Sequence, residues 1–235
     1  MNVLAIAAHP DDAEIQCFGT LAKCVRRGDT VTVATVTNGN LGHMVIMPEE
    51  LGPIRIKEAT AAAKVIGAEY VCLGADDLGV TRYDPELIRK CVDLIRRVKP
   101  RIILTHFPDD YHRDHTETGH LVLDAAFRAT IPHIFTDEAP FYGPMTVYHF
   151  PPSNGNTDFV CTDFVNIADV IDLKLEALAR HESQVKWLME HDHTDVLAKT
   201  RTRGAIFGAQ AKCRLAEGFR VSKFRYTAPC ERLLP

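Results

Sequence analysis

The chain has 235 residues, of which 46% are hydrophobic and 25% charged, and its formal net charge is −4 at pH 7. This balance is typical of one globular α/β domain, and basic residues are too scattered to favour nucleic acid as a partner. No apolar run reaches the roughly 20 residues of a membrane span, so no membrane association is expected.

Short β-branched segments alternate with stretches of helical periodicity through the first half of the chain. This pattern predicts βα units around a mostly parallel sheet. The expected strands are Val3–Ala8, Thr30–Val36, Tyr70–Leu73 and Arg101–Thr105. The expected helices are Ala13–Arg27, Ile54–Ile66, Pro85–Val98 and His115–Ala129.

The regularity weakens beyond Pro132. Strands are expected at Thr146–Phe150 and Phe159–Ile167, separated by a turn-rich segment at 151–156, and two long helices at about 169–191 and 195–216. No repeat or change in composition marks a boundary. We therefore expect a single domain over 1–235, with core βα units in 1–130 and an extension in 131–235 that completes the site.

Cysteines number seven, at positions 17, 24, 72, 91, 161, 213 and 230, without a Cys-x-x-Cys pair. This odd number suggests neither a disulfide framework nor a thiolate zinc site. The apolar start at Val3–Ala8 has no basic flank and is too short for a signal peptide. These features predict a protein of the reduced cytoplasm.

Two clusters of histidine and aspartate follow predicted strands. His9-Pro10-Asp11-Asp12 comes directly after the first strand, and the segment from His106 to His115 follows the fourth. Ligands of doubly wound sheets bind beyond the carboxyl ends of the strands. If the strands lie in the usual order 3-2-1-4, the two clusters face each other.

Imidazole nitrogen and carboxylate oxygen together suit zinc or another borderline first-row ion, and a catalytic zinc site uses three protein ligands. Adjacent carboxylates such as Asp11 and Asp12 diverge, so one can bind the metal while the other acts as a base. The alternative is a turn followed by a helix, in which Asp11 or Asp12 caps backbone N–H groups.

Three segments together resemble the LmbE/PIG-L family of zinc-dependent N-acetylglucosaminyl deacetylases. They are Ala8-His9-Pro10-Asp11-Asp12, His112-Arg113-Asp114-His115 and the later Asp172, Lys174 and His181-Glu182-Ser183-Gln184. The resemblance runs over most of the chain. It implies a Rossmann-like three-layer fold with a mostly parallel sheet and a C-terminal helical and β extension.

The resemblance also implies an activity, removal of the N-acetyl group from an N-acetylglucosamine-type amino sugar or its conjugate. Matched position by position, His9, Asp12 and His115 are the ligands of Zn²⁺ or another divalent first-row metal. Asp11 matches the general base.

His112 matches a histidine that stabilises the oxyanion or protonates the leaving amine, and Asp114 would fix its tautomer. The sequence does not decide whether Asp11 or His112 protonates the amine. Tyr111 either donates to the oxyanion or packs.

Substrate contacts are implied for Asn40 and Arg55. The family commonly carries a Gly-Glu-x-Gly-like loop against the sugar, whereas this chain has Thr37-Asn38-Gly39-Asn40-Leu41-Gly42-His43. The stretch from Met44 to Pro48 forms either a flap over the site or a solvent-exposed loop. Arg55 either contacts substrate or forms a surface salt bridge with Glu58 or Glu50.

Two other readings of the same residues remain. One is a metal-binding scaffold that has lost turnover, and the other is a deacylase of a non-sugar amide. Serine hydrolases and phosphate-binding enzymes are disfavoured, because no G-x-S-x-G or P-loop motif occurs. The resemblance further implies a small-molecule substrate and a homo-oligomer, a trimer or a hexamer.

Overall fold

The computed structural model describes residues 1–153, 158–223 and 232–235. The strands within these ranges are β1 (Asn2–Ala7), β2 (Thr30–Thr37), β3 (Glu69–Ala75), β4 (Ile102–His106), β5 (Thr146–Phe150), β6 (Asp163–Asn166) and β7 (Ala216–Val221). The helices are α1 (Asp12–Gln16), α2 (Phe18–Arg26), α3 (Pro48–Ile66), α4 (Pro85–Val98), α5 (Arg113–Arg128), α6 (Ile171–Ala179), α7 (Glu182–His191) and α8 (Val196–Gln210).

The strands form one sheet in the order β3-β2-β1-β4-β5-β7-β6. The first five strands of this order pair in parallel, whereas β7 runs antiparallel to both β5 and β6. Ala5 of β1 lies between Val33 of β2 and Leu104 of β4. The mostly parallel α/β fold and the 3-2-1-4 order are thus confirmed, and the carboxyl ends of β1 and β4 are neighbours.

Helices cover both faces of the sheet, as a parallel sheet requires. Val3 and Ala5 of β1 belong to one buried cluster, with Phe18 of α2. Leu4 and Ile6 belong to the other, with α4 and α5. The alternation follows from the two-residue period of a strand, and it gives the three layers of the fold.

Two predicted helices differ from the structure in the first half. The helix expected over Ala13–Arg27 is divided into α1 and α2 by Cys17, which has φ −143°. The helix expected to start after Pro53 starts at Pro48 instead, and Pro53 lies within α3. Proline suits a first helical position, so Pro48 is the better start signal.

The extension differs most from expectation. The helix expected at 169–191 is the pair α6 and α7, and the helix expected at 195–216 ends at Gln210. The strand β7 was not predicted, and the strand at Phe159–Ile167 is reduced to β6. Of the predicted turn at 151–156, residues 154–156 lie outside the described residues.

No helix of the described residues is both long and apolar enough to cross a bilayer. The cysteines at 17, 24, 72, 91, 161 and 213 are free thiols, and Cys230 lies outside the described ranges.

Candidate metal centre

The two His/Asp clusters meet at one rim of the sheet, because β1 and β4 are adjacent and parallel. His9 and Asp12 follow β1, and His115 lies in the first turn of α5 after β4. Each of these three residues offers a ligand atom, and the three atoms lie within 4.8 Å of one another. The structure therefore brings together the three ligands expected from the sequence.

The ligand atoms face each other around Asp12, which is 6% exposed. His9 Nδ1 lies 3.2 Å from Asp12 Oδ2, and His115 Nε2 lies 3.5 Å from Asp12 Oδ1. The backbone N–H of His9 donates to Asp12 Oδ2 at 2.8 Å, which fixes the carboxylate against the turn.

The second ring nitrogen of each histidine contacts another carboxylate. His9 Nε2 lies 3.0 Å from Asp114 Oδ2, and His115 Nδ1 lies 3.2 Å from Asp110 Oδ2. Histidines that bind metals usually donate their other N–H to such a group, which fixes the tautomer and the ring orientation. This role of Asp110 was not predicted, although Asp110 lies within the segment from His106 to His115.

Among the described residues, two further groups have ligand atoms equally close together, and both overlap the first. They are His9, His112 and Asp114, and His106, Asp110 and His115. Within each of the three groups a carboxylate contacts a histidine ring nitrogen. The group of His9, Asp12 and His115 is the one whose members all line the cavity beside it.

The electrostatics of this group fit a cation. Burial alone would lower the pKa of His9, but Asp114 and Asp12 raise it to about 10. Burial would raise the pKa of Asp12, yet His115 and His106 hold it well below its usual value. The carboxylates thus favour a positive charge between them. The nitrogen and oxygen donors of the group match those that bind zinc.

Asp11 has a backbone conformation that side chains rarely adopt, with φ +108°. Its carboxylate accepts from Arg55 Nη2 at 3.1 Å and does not cap α1, which argues against the helix-capping alternative. Burial raises the pKa of Asp11 to about 6, and Arg55 opposes that rise. A strained backbone that aims a buried carboxylate is typical of functional sites.

Arg55 is 3% exposed, so the surface salt bridge considered for it is wrong. Besides Asp11, it donates to the carbonyl oxygens of Pro10 and Gly39. A Cβ atom at Gly39 would lie 2.7 Å from Arg55 Cδ, so glycine is needed there to admit the guanidinium stem. Arg55 also lines the cavity beside the metal centre.

His112 is the N-cap of α5, and its Nδ1 accepts the backbone N–H of Asp114 at 3.2 Å. This contact leaves the proton on Nε2. Burial and the neighbouring His9 and His115 lower the pKa of His112, which favours the neutral ring. The backbone of Asp114 thus selects the tautomer, whereas its carboxylate binds His9 instead of His112.

The other two expected substrate contacts, Tyr111 and Asn40, differ in whether they line the cavity. Tyr111 is 65% exposed and lines the cavity. Asn40 Nδ2 donates to Asp76 Oδ1 at 2.9 Å, and Asn40 Oδ1 accepts from the N–H of Asp77 at 3.1 Å. Asn40 therefore ties two loops together, and it is outside the cavity lining.

His106 has a role that the sequence did not reveal. Its Nε2 accepts the backbone N–H of Ala8 at 3.0 Å, and its ring stacks on His115 with centroids 4.1 Å apart. Burial and His115 lower the pKa of His106 to about 4, which suits a neutral acceptor. His106 thus supports the turn that presents His9.

A cavity of about 630 Å³ opens onto the centre. Its lining includes His9, Asp11, Asp12, His112 and His115 on one side, and residues of α7 and α8 beyond.

The PIG-L family model, described as GlcNAc-PI de-N-acetylase, matches residues 4–126 of this chain. The diacetylchitobiose deacetylase of Thermococcus kodakarensis is 29% identical, over 93% of this chain and 82% of its own length. A probable N-acetyl-α-D-glucosaminyl L-malate deacetylase of Bacillus cereus is 31% identical, over 84% of this chain and 90% of its own.

Solved structures share the fold. The N,N'-diacetylchitobiose deacetylase of Pyrococcus horikoshii superposes with a TM-score of 0.80 at 25% identity, covering 97% of this chain and 86% of that one. A 4-carboxy-2-hydroxymuconate hydratase of Pseudomonas putida reaches 0.79 at 22% identity, covering 99% and 100%. The latter likeness shows the fold alone, so the reaction has to be argued from the site.

Proposed function

This chain belongs to the PIG-L family, and from that premise we propose that it is a metal-dependent hydrolase of the N-acetyl group of an N-acetylglucosamine-type amino sugar or conjugate. The observation that carries the proposal is the meeting of His9, Asp12 and His115 around one point, with Asp11 beside them on the cavity wall. A metal-binding scaffold without turnover has no need of that fourth, strained residue.

His9, Asp12 and His115 would hold the ion, and zinc suits their nitrogen and oxygen donors. When bound, such an ion lowers the pKa of a water towards about 7 and polarises a carbonyl oxygen. Asp114 and Asp110 orient the two histidine rings from behind. With the rings fixed, little reorganisation is required on binding.

Asp11 is the general base. A base works best when its pKa is close to the working pH, and burial raises that of Asp11 to about 6. Arg55 holds the carboxylate in place and keeps it ionised near neutral pH. Asp11 therefore takes a proton from the attacking water and is then able to return it to the leaving amine.

His112 and Tyr111 face the acetyl group from the other cluster. The neutral His112 ring carries its proton on Nε2, so it donates a hydrogen bond to the acetyl oxygen as negative charge develops there. Tyr111 lines the same cavity and offers its hydroxyl to that oxygen. Donors of this kind contribute about 3 to 4 kcal/mol each in comparable sites.

The proposal is tested by amine release from a panel of N-acetylated sugars, including N-acetylglucosamine and diacetylchitobiose, with purified zinc-loaded protein. We expect turnover that a chelator abolishes and that added zinc restores. A non-sugar N-acetyl amide serves as the control substrate, which we expect to react far more slowly. Absence of amine release from every sugar by fully loaded protein would overturn the proposal.

A further inference from the structure

The motif His181-Glu182-Ser183-Gln184 has no part in the chemistry proposed above, although it belongs to the family resemblance. It forms the N-cap and the first turn of α7, in the extension. Three of its four side chains contact segments from the first half of the chain. These segments are α1, α3 and the loop between β2 and α3, and each of them carries or contacts a member of the Asp11–Arg55 pair.

Gln184 contacts the loop that encloses the guanidinium of Arg55. It is 7% exposed, and its Nε2 donates to the carbonyl oxygen of Gly42 at 2.7 Å. The backbone N–H of Gly42 donates to the carbonyl oxygen of Gly39 at 3.4 Å, and Arg55 Nη1 donates to the same oxygen at 3.1 Å. A Cβ atom at Gly42 would lie 2.6 Å from Arg55 Nη1, so the loop has little room to shift without moving the guanidinium.

Ser183 contacts the helix that carries Arg55. Its backbone N–H and its hydroxyl donate to the two carboxylate oxygens of Glu58 at 2.7 and 2.6 Å. Glu58 lies three residues after Arg55 in α3, a spacing at which a carboxylate is able to compete for the guanidinium. Because both of its oxygens are bonded to Ser183, Glu58 leaves Arg55 to Asp11.

His181 connects the same turn of α7 to α1. Its Nε2 lies 3.1 Å from Glu14 Oε1, and both side chains are buried. Glu14 follows Asp11 by three residues, so the start of α7 is fixed at both members of the pair. Removal of His181 would leave Glu14 buried without its partner and destabilise the fold, so a test is better made at Ser183 and Gln184.

We propose that Ser183 and Gln184 are positioning residues that act through Arg55. They hold α3 and the loop after β2, the two segments that enclose the guanidinium, and the guanidinium in turn fixes the carboxylate of Asp11. The extension thereby controls the geometry of a base that belongs to the first half of the chain. This inference rests on the proposed function, since it takes Asp11 as the base.

The first test is Gln184→Met, which keeps the length of the side chain and removes the donor. Amine release from diacetylchitobiose is measured with zinc-loaded protein. We expect kcat to fall roughly tenfold while KM stays within about twofold, because a small displacement of a reacting group acts on the chemical step. Glu182→Gln, at an exposed position of the same turn, is the control and should match the wild type.

Ser183 is tested by a pair of variants. Ser183→Ala keeps the backbone donor to Glu58 but loses the hydroxyl, so its kcat should lie between that of the wild type and that of Gln184→Met. Ser183→Thr retains the hydroxyl and should recover most of the lost kcat. Equal kcat values for Ser183→Ala and the wild type would contradict a positioning role of this contact.

A double variant shows whether the effect passes through Arg55. In the Arg55→Met background, Gln184→Met should lower kcat by less than about twofold, because both changes disrupt the same interaction. An equally large loss in both backgrounds would identify a merely structural effect. Gln184 also lines the cavity, so a rise in KM at unchanged kcat would identify a substrate contact. Either result, or an unchanged kcat in Gln184→Met alone, would overturn the proposal.

A measurement without turnover separates this inference from the proposed function. Arg55 donates through both Nη atoms, so its guanidinium should rotate slowly and give separate Nη signals in proton–nitrogen NMR spectra. Arg55→Met assigns these signals by their loss. They should average in Gln184→Met and stay separate in Glu182→Gln. The buried Arg96, which donates to carbonyl oxygens after α5, is the internal reference.

Unchanged Arg55 signals in Gln184→Met would overturn the inference, whatever the protein's activity. Averaged signals in that variant, together with a wild type that releases no amine from any sugar, would support the positioning of Arg55 and overturn the proposed function alone.

Discussion

The carboxylate of Asp11 lies 3.1 Å from the guanidinium of Arg55, and that guanidinium also donates to the carbonyl oxygens of Pro10 and Gly39. A buried, doubly anchored arginine therefore fixes the carboxylate assigned as the base. Its position between the base and the loop after β2 makes Arg55 primarily a positioning residue, even though the family resemblance implies a substrate contact.

Replacement of Arg55 distinguishes these two roles. We expect Arg55→Met to lower kcat about 100-fold with little change in KM, because a small misplacement of a reacting group has an effect of that size. Arg55→Lys keeps the positive charge but lacks the several N–H donors of the guanidinium. Its kcat should therefore lie between that of the wild type and that of Arg55→Met. A rise in KM at unchanged kcat would instead identify a substrate contact.

The carboxylates behind the ligands should control metal affinity. We expect Asp114→Asn and Asp110→Asn each to weaken zinc binding about 10- to 100-fold, because histidine orientation and basicity depend on such partners. Competition with a chromophoric chelator measures the affinity. Asp137→Asn, at an exposed surface ion pair with Arg89, is the control and should bind zinc as the wild type does.

Two glycines test the space around Arg55. A Cβ at Gly42 would lie 2.6 Å from Arg55 Nη1, whereas one at Gly52 in α3 would meet its nearest atom at an ordinary 3.5 Å. We expect Gly42→Ala to displace the guanidinium and reduce kcat. Gly52→Ala should leave kcat unchanged and stabilise the helix by about 0.5 to 1 kcal/mol. Equal kcat values for the two variants would contradict the crowding at Arg55.

The sequence predicted the site better than it predicted the extension. The β1 and β4 clusters could be located because parallel strands end at one rim, and His9, Asp12 and His115 meet there. The contacts of Arg55 and Asp110 could not be predicted from the sequence, because they depend on how side chains are oriented in the folded chain.

In the extension, β7 was missed for a physical reason. Its Glu217 is 2% exposed and accepts the backbone N–H groups of Gly19 and Thr20 at the start of α2, as well as Lys174 Nζ. A buried carboxylate in this role breaks the apolar alternation by which a strand is recognised. Of the partners that stabilise it, Gly19 and Thr20 lie about 200 residues away along the chain and Lys174 lies 43 residues away.

His149 makes stability depend on pH. Burial, Arg220 and His120 together lower the pKa of His149 to about 4, although the hydrogen bond between its Nδ1 and the carbonyl oxygen of His106 opposes that shift. Below its unfolded pKa of about 6.5 the unfolded chain binds a proton that the folded chain does not, so stability falls as the pH drops towards 4.

The expected contribution is about 2 kcal/mol between pH 7 and pH 5. Denaturant titrations of the wild type and His149→Gln at both pH values measure it, since all other groups are shared. The variant should lose less stability on acidification by about that amount. Identical pH dependence of the two proteins would show that His149 does not titrate in this range.

In the proposed mechanism, Asp12 binds the metal and the adjacent Asp11 transfers the proton. Asp11→Asn tests it directly, with zinc content and the rate of amine release measured on the same preparation. We predict zinc content equal to that of the wild type and a rate lower by about 100-fold or more. Full turnover by Asp11→Asn, or loss of its zinc, would contradict the account.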